Sequence, residues 1–146
     1  MPKNPKRNNF QHLVQIMRKL RSPQGCSWDK EQDHTSLLPY LREEVRELTT
    51  AVRTGDMHNM REELGDILLQ VIFHAQIAAD NGYFDINDVI HTLVRKLIRR
   101  HPHVFGDVRV TSAKDIIKNW HKIKRQEKKS KIFYQGNIRR HHPPSS

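Results

Sequence analysis

No apolar run in the chain approaches the roughly 20 residues needed to span a bilayer, which argues against a membrane protein. Cysteine is nearly absent: Cys26 stands alone among 146 residues, so no internal disulfide can form. That fits a reducing compartment, and a cytoplasmic location is expected. The basic opening MPKNPKRNNF is not followed by an apolar stretch, which argues against a secretory signal. There is no GxxxxGK loop, so any phosphate binding must rely on a metal and basic side chains. Alternating apolar and polar runs are also missing, and VRVT at 108–111 is too short to build a sheet. No internal repeat is visible. A chain of this length is expected to form one domain around one core.

Acidic charge is scarce overall, and the formal net charge is +10. Its distribution is uneven. Residues 1–27 carry six Lys/Arg and no acid; residues 28–107 carry nine Lys/Arg against fourteen acids; residues 108–146 carry eleven against two. Basic proteins often bind nucleic acid. Here the middle is acidic and only the ends are basic, which argues against a uniform nucleic-acid surface.

Helical periodicity dominates what is present. Phe10, Leu13, Val14, Met17 and Leu20 mark a first helix over 10–21, and SPQG then opens a polar loop through CSWDKEQDHTS. A second helix is expected from near Ser36 to before Gly55, and a third from Met57 to Asp80, stopped by Asn81-Gly82. Asp85 with Asp88 opens a fourth, which Pro102 prevents from continuing past RRHPHVFGD. Ser112 with Asp115 opens a fifth through Trp120 and Ile123. The apolar rhythm fades from Lys128, and GNIRRHHPPSS reads as a disordered tail. The fold class is all-α, a bundle of four or five helices. A basic arm occupies 1–9, the helical domain 10–129 and a basic tail 130–146.

The acids of the middle segment sit in unusual places. At about 100° per residue, Leu37, Leu41, Val45, Leu48, Ala51 and Val52 share one arc of the second helix. Glu44 falls inside that arc, Glu47 on its edge and Glu43 just beyond. In the third helix, from Leu64 to Ala79, the only formal charge is Asp66, so that helix is expected to be central and buried. Glu63 and Asp66, at i and i+3, share a side. Surface pairing with Arg42, Arg46, Arg53 and Arg61 is the ordinary account of such acids. However, Glu43/Glu47, Glu62/Asp66 and Arg42/Arg46 place like over like at i,i+4, disfavouring the helix by about 0.2–0.5 kcal/mol per pair. Only Glu43–Arg46 makes a good local pair. Burying an uncompensated carboxylate costs several kcal/mol, so a cation is required. Two antiparallel helices, each offering an acid pair, would supply hard oxygen ligands suited to Mg²⁺ or Mn²⁺ rather than zinc.

The pattern Glu43-Glu44-x-x-Glu47 followed by Glu63-x-x-Asp66 resembles the MazG nucleotide pyrophosphohydrolases, an all-α NTP pyrophosphatase family. So do the flanks WDKEQ at 28–32, LREEVREL at 41–48, ELGDILLQVIFHAQIA at 63–78 and KLIRRHPHVFGD at 96–107. The resemblance covers about residues 10–129 and is to the N-terminal domain of two-domain members. It implies hydrolysis of NTPs or dNTPs to monophosphate and pyrophosphate, with Glu44, Glu47, Glu63 and Asp66 as Mg²⁺ ligands. Glu43 is the candidate for orienting or deprotonating the attacking water, with a solvated helix position as the alternative. Lys96 and Arg100, with Arg99 as a second candidate, match positions expected to meet phosphates; without the family they would simply complement a helix dipole. Trp120 and Lys124 match an element that can close over the nucleotide, and Trp28 is either a base contact or a loop anchor. The family habit, together with the broad apolar surface of the third helix, implies a homodimer or tetramer.

Two other readings stay open on the sequence: a catalytically weak relative that binds nucleotides or a protein, and a helical nucleic-acid binder using the basic ends. Glu31-x-x-His34 has di-iron spacing but occurs once, where a ferritin-like site needs two copies. His101-Pro102-His103 is most simply a helix-ending loop.

Overall fold

The protein is described here by a computed structural model covering residues 8–139, with side chains as far as Lys131. Among the described residues it is all-helical: α1 Phe10–Leu20, α2 Ser27–Glu31, α3 His34–Thr54, α4 Met57–Asp80, α5 Ile86–Arg100, α6 Pro102–Phe105 and α7 Ala113–Arg139. The chain forms two compact units, Met1–Val89 and Ile90–Ser146.

In the first unit, α3 and α4 make the most extensive helix pair. The turn between them does two jobs. Gly55 adopts φ 69°, and the Asp56 N–H reaches the Ala51 carbonyl while that of Gly55 reaches Val52, closing α3 in a Schellman arrangement. The Asp56 side chain then accepts from the Asn59 N–H and caps α4. The α3 start differs from expectation. Asp33 is the N-cap, accepting from the Ser36 N–H at 2.7 Å while Ser36 Oγ bonds the Asp33 N–H, so the helix begins at His34 and Ser36 is its third residue.

The core of this unit gathers Val14 and Met17 from α1, Leu37 from α3, Ile72, Phe73, Ala75 and Ile77 from α4, and Ile86. All fully buried side chains among the described residues belong to this unit. α4 is less enclosed than its composition suggests, because Leu64, Leu68, Leu69 and Val71 remain exposed in the single chain.

The polar segment after α1 holds a helix, α2, that the sequence pattern does not reveal. A helix of five residues is too short to show an apolar period, and this one is held by tertiary contacts. Arg21, at the C-cap of α1, donates to the carbonyls of Asp29 and Gln32 at the end of α2. Its Nε meets Asp80 Oδ2 at 2.8 Å, and its guanidinium lies 5.8 Å from the Phe73 ring centre. One buried cation therefore ties α1, α2 and α4 together. Gly25 permits the approach of the intervening loop: a Cβ there would collide with the carbonyl oxygens of Lys19 and Leu20.

In the second unit, α5 ends at Arg100 and Pro102 begins α6, as a missing N–H and fixed φ allow. The start of α7 is secured by the Asp115 N–H on Ser112 Oγ and by Asp115 accepting from Thr111. α7 continues to Arg139, past Lys128, from which the apolar rhythm fades. Lys, Arg, Gln and Glu are good helix formers and need no apolar stripe to extend one. Residues 1–7 of the expected basic arm and 140–146 of the expected tail lie outside the described residues.

Replacing Arg21 by Met should lower the free energy of unfolding by about 2–4 kcal/mol, since it leaves two carbonyls without a donor and Asp80 with only its bond from Gln76. Denaturant titration checks this, and Asp80→Asn, at the more exposed end of the pair, should cost clearly less.

Candidate active site

Helical spacing places Glu44 and Glu47 one turn apart on α3, and Glu63 and Asp66 one turn apart on α4. The antiparallel pairing brings the two sets together. One carboxylate oxygen from each of Glu44, Glu63 and Asp66 lies within 4.8 Å of the others. Glu47 lies near Glu63, close enough for the two carboxyls to perturb each other's acidity. Oε2 of Glu44 and Oε2 of Glu63 are buried without a donor.

The acidities record this crowding. Burial, then the charges of Asp66 and Glu47, push the Glu44 carboxyl above its ordinary value. Glu63 is raised by burial and by its contact with Glu44, and Glu47 by its contact with Glu63. Carboxylates that resist ionisation together, with two oxygens lacking donors, fit a bound cation better than a structural role. The donor set is hard oxygen without thiolate, which suits Mg²⁺ or Mn²⁺. A cleft of about 290 Å³ adjoins the cluster, lined by Arg46, Glu47, Thr50, Thr54, Asn59 and Glu63.

Glu43 is not among the converging carboxylates. It is exposed and pairs with Arg46 at 3.2 Å, the local pair that the sequence spacing predicts. Trp28 is half exposed, edge-on to Tyr40 and Phe73 with ring centres 5.5 and 6.2 Å away, so it anchors α2 to the core.

The remaining sequence candidates lie in the second unit. Lys96 is half-buried on α5 and Lys124 exposed on α7. Arg99 Nε and Arg100 Nη2 both bond Glu127, at 2.8 and 2.9 Å. Hydrogen bonds from Arg100 first, then Arg99, hold the Glu127 carboxyl down to about 2. Trp120 packs edge-on to His101 with ring centres 5.4 Å apart, and its Nε1–H is buried without an acceptor.

Three features escape a reading by formal charge and apolar period. Glu127 is the acid that engages both arginines. Gln70 on α4 is buried, its Oε1 without a donor. His34 and His74 stack with parallel rings, Nδ1 to Nδ1 at 2.8 Å. Burial, then the neighbouring His34, lowers the His74 pKa and favours its neutral form. The readable signal was spacing: Gln70 and His74 follow Asp66 at i+4 and i+8 in a helix otherwise nearly apolar.

In metal-free protein, Glu63→Gln should raise the melting temperature, because it relieves repulsion. The carboxyls raised above 4.5 contribute stability that is present below that unfolded value and lost as pH rises through their folded values. Metal-free wild type should therefore lose stability as pH climbs from 4.5 toward neutrality. Mg²⁺ should restore it, by about 2.7 kcal/mol at a hundredfold excess over Kd, and should do much less for the variant. Scanning calorimetry with and without EDTA checks both.

Residues 32–105 match the MazG nucleotide pyrophosphohydrolase domain, a span that contains all four carboxylates. The chain is 58% identical over 122 residues to a nucleoside triphosphate pyrophosphohydrolase/pyrophosphatase MazG of Thermotoga maritima, covering 84% of this chain and 46% of that protein. It is 42% identical over 130 residues to a nucleoside triphosphate pyrophosphohydrolase of Escherichia coli (strain K12), covering 88% and 49%. The chain thus spans about half the length of these curated relatives. The crystal structure of a mazG-related protein from Thermotoga maritima superposes with a TM-score of 0.64 at 30% identity, over 77% of this chain and 96% of that one. With the acid pairs on facing helices and these matches together, the chain belongs to the MazG nucleotide pyrophosphohydrolase family.

Proposed function

We propose that this chain is a Mg²⁺-dependent nucleoside triphosphate pyrophosphohydrolase, converting NTPs or dNTPs to monophosphate and pyrophosphate and so controlling nucleotide pools in the cytoplasm. The observation that carries the reading is the convergence of Glu44, Glu63 and Asp66 oxygens within 4.8 Å, two of the cluster's oxygens being buried without a donor. Family membership and the names of the relatives support it. No described helix is long and apolar enough to cross a membrane.

Glu44, Glu47, Glu63 and Asp66 would hold the ion, with Mn²⁺ as a substitute. When bound, such an ion neutralises phosphate charge and polarises the α-phosphorus toward attack by water. The chain's own groups do the rest. The carboxylates fix the ion on two rigid helices. Arg46 and Asn59 give the adjoining cleft donors for phosphate oxygens. Glu43, exposed and held by Arg46, can accept a proton from the attacking water. Lys96, Arg99 and Arg100 are the candidates for binding phosphate, and Trp28, Trp120 and Lys124 for contacting the nucleoside. In the second unit Glu127 already engages both arginines, so phosphate contact there requires exchange of one anion for another.

The experiment is product analysis by phosphorus NMR on a panel of NTPs and dNTPs, with Mg²⁺ and with EDTA. Monophosphate plus pyrophosphate should appear only with Mg²⁺. Loss of an outer-shell partner typically costs up to about a hundredfold. Removing a direct ligand, by Glu63→Gln or Asp66→Asn, should therefore cost at least about a hundredfold in kcat/KM. No turnover of any nucleotide by folded, metal-loaded protein would turn the reading toward a nucleotide- or protein-binding module. Binding of nucleic acid by the basic ends would be set apart by its steep loss with salt.

A homodimer or tetramer belongs to the same proposal. Leu64, Leu68 and Val71 stand at i, i+4 and i+7 on one face of α4 and are exposed in the single chain, a stripe that a second copy would cover. Light scattering of purified protein should give a mass above that of one chain, and a monomer mass at micromolar concentration would dismiss it.

A further inference from the structure

We propose that Gln70 and His74 of α4, with His34 of α3 facing them, form the stretch of this site that reads the nucleoside of the substrate. The inference rests on the phosphohydrolase reading and assigns residues to a part of the substrate that the carboxylates leave unaddressed.

Glu63, Asp66, Gln70 and His74 occupy a single arc of α4 about 80° wide. Along the axis, Gln70 lies about 6 Å and His74 about 12 Å beyond Asp66. The contact between His34 and His74 at 2.8 Å shows that the N-terminal end of α3 faces the same stripe. The carboxylates and the histidine pair therefore mark two places on one helix–helix seam.

Between them the seam is apolar, with Leu37 and Phe73 almost wholly buried. Gln70 is the exception. It is 6% exposed, and its Oε1 has no donor. His74 repeats the anomaly. In the ring–ring contact only one Nδ1 can donate, so His74 Nε2 is left with either an unused proton or an unused lone pair, and it too is buried without a partner. Buried polar atoms are normally satisfied. Two orphans in successive turns, in line with the orphaned carboxylate oxygens, are the polar atoms that a ligand entering this seam would meet.

The chemistry of the two directions along the seam assigns that ligand. Toward Thr50 and Asn59 the cleft carries Arg46, a cation suited to the leaving pyrophosphate. Toward His74 the groups are an amide and a neutral imidazole, which suit an uncharged sugar and base. The nucleoside hangs directly from the phosphorus under attack, so it must begin within a turn of the carboxylates, where Gln70 stands.

The test uses calorimetric titration of the full chain, in Mg²⁺, with non-hydrolysable α,β-methylene triphosphates of the four bases as ribo and deoxy forms. Wild type is compared with Gln70→Met, which keeps the volume, and with His34→Ala, which alters an exposed residue outside the core. Gln70→Met should melt at or above the wild-type temperature, because it removes an unsatisfied buried amide. It should nevertheless narrow the spread of affinities across the panel by about three- to tenfold, the equivalent of one lost hydrogen bond. His34→Ala should narrow the spread as well, and affinity for pyrophosphate should be unchanged in both. An unchanged spread in both folded variants, with wild type hydrolysing nucleotides normally, would overturn this inference alone and leave water as the partner of Gln70. If wild type neither binds the analogues nor hydrolyses any nucleotide, the phosphohydrolase reading falls and this inference falls with it.

Discussion

Like charges held on facing helices repel, and the pairing of α3 with α4 imposes that repulsion at its centre. Apolar contacts along the seam hold the helices close enough for Glu44, Glu63 and Asp66 to converge, and the same closeness denies two of their oxygens a donor. Burial of Leu37, Ile72 and Phe73 supplies the opposing force, at about 1.5–3 kcal/mol for each large side chain removed from water. The cluster is a strained element carried by a well-packed one. A cation held there, as proposed, would relieve the strain without requiring either helix to move.

The rest of the first unit can be read as support for that seam. Arg21 draws α1 and α2 onto the far end of α4 through Asp80 and the carbonyls of Asp29 and Gln32. The residues that contradict good packing, Gln70 and His74, fall on the side of α4 that also bears the acids. Proteins tend to violate their own packing rules where function demands it, and here the violations form a line rather than a scatter.

The parts of this arrangement legible in the sequence were those carried by local pattern. Glu44 inside an apolar arc, the i,i+3 acid pairs, the stop at Gly55, the cap at Asp85 and the break at Pro102 all depend on residues a few positions apart. α2 was hidden because a five-residue helix has no period to show, and because the contact that holds it comes from Arg21. α3 begins at His34 rather than near Ser36 because Asp33 is the cap and Ser36 its capping-box partner. Long-range partners were out of reach: His34 meets His74 forty positions away, and Glu127 meets Arg99 and Arg100 across a helix pair. Gln70 and His74 escape notice in the sequence for a different reason. A count of formal charges passes over neutral polar groups, and α4 looked apolar because its hydrogen-bonding residues carry no charge.

The turn between α3 and α4 has a consequence for how this chain can change over time. Loops ordinarily accept insertions and deletions. Here α3 ends at Thr54 and α4 begins at Met57, and Gly55 and Asp56 serve both helices as cap. One residue added at that point would slide α4 along α3 or rotate it, and Glu63 and Asp66 would no longer meet Glu44. The length of a two-residue surface turn is therefore under the same selection as the carboxylates themselves. Among sequences descended from a common ancestor, this short turn should be the loop that keeps its length.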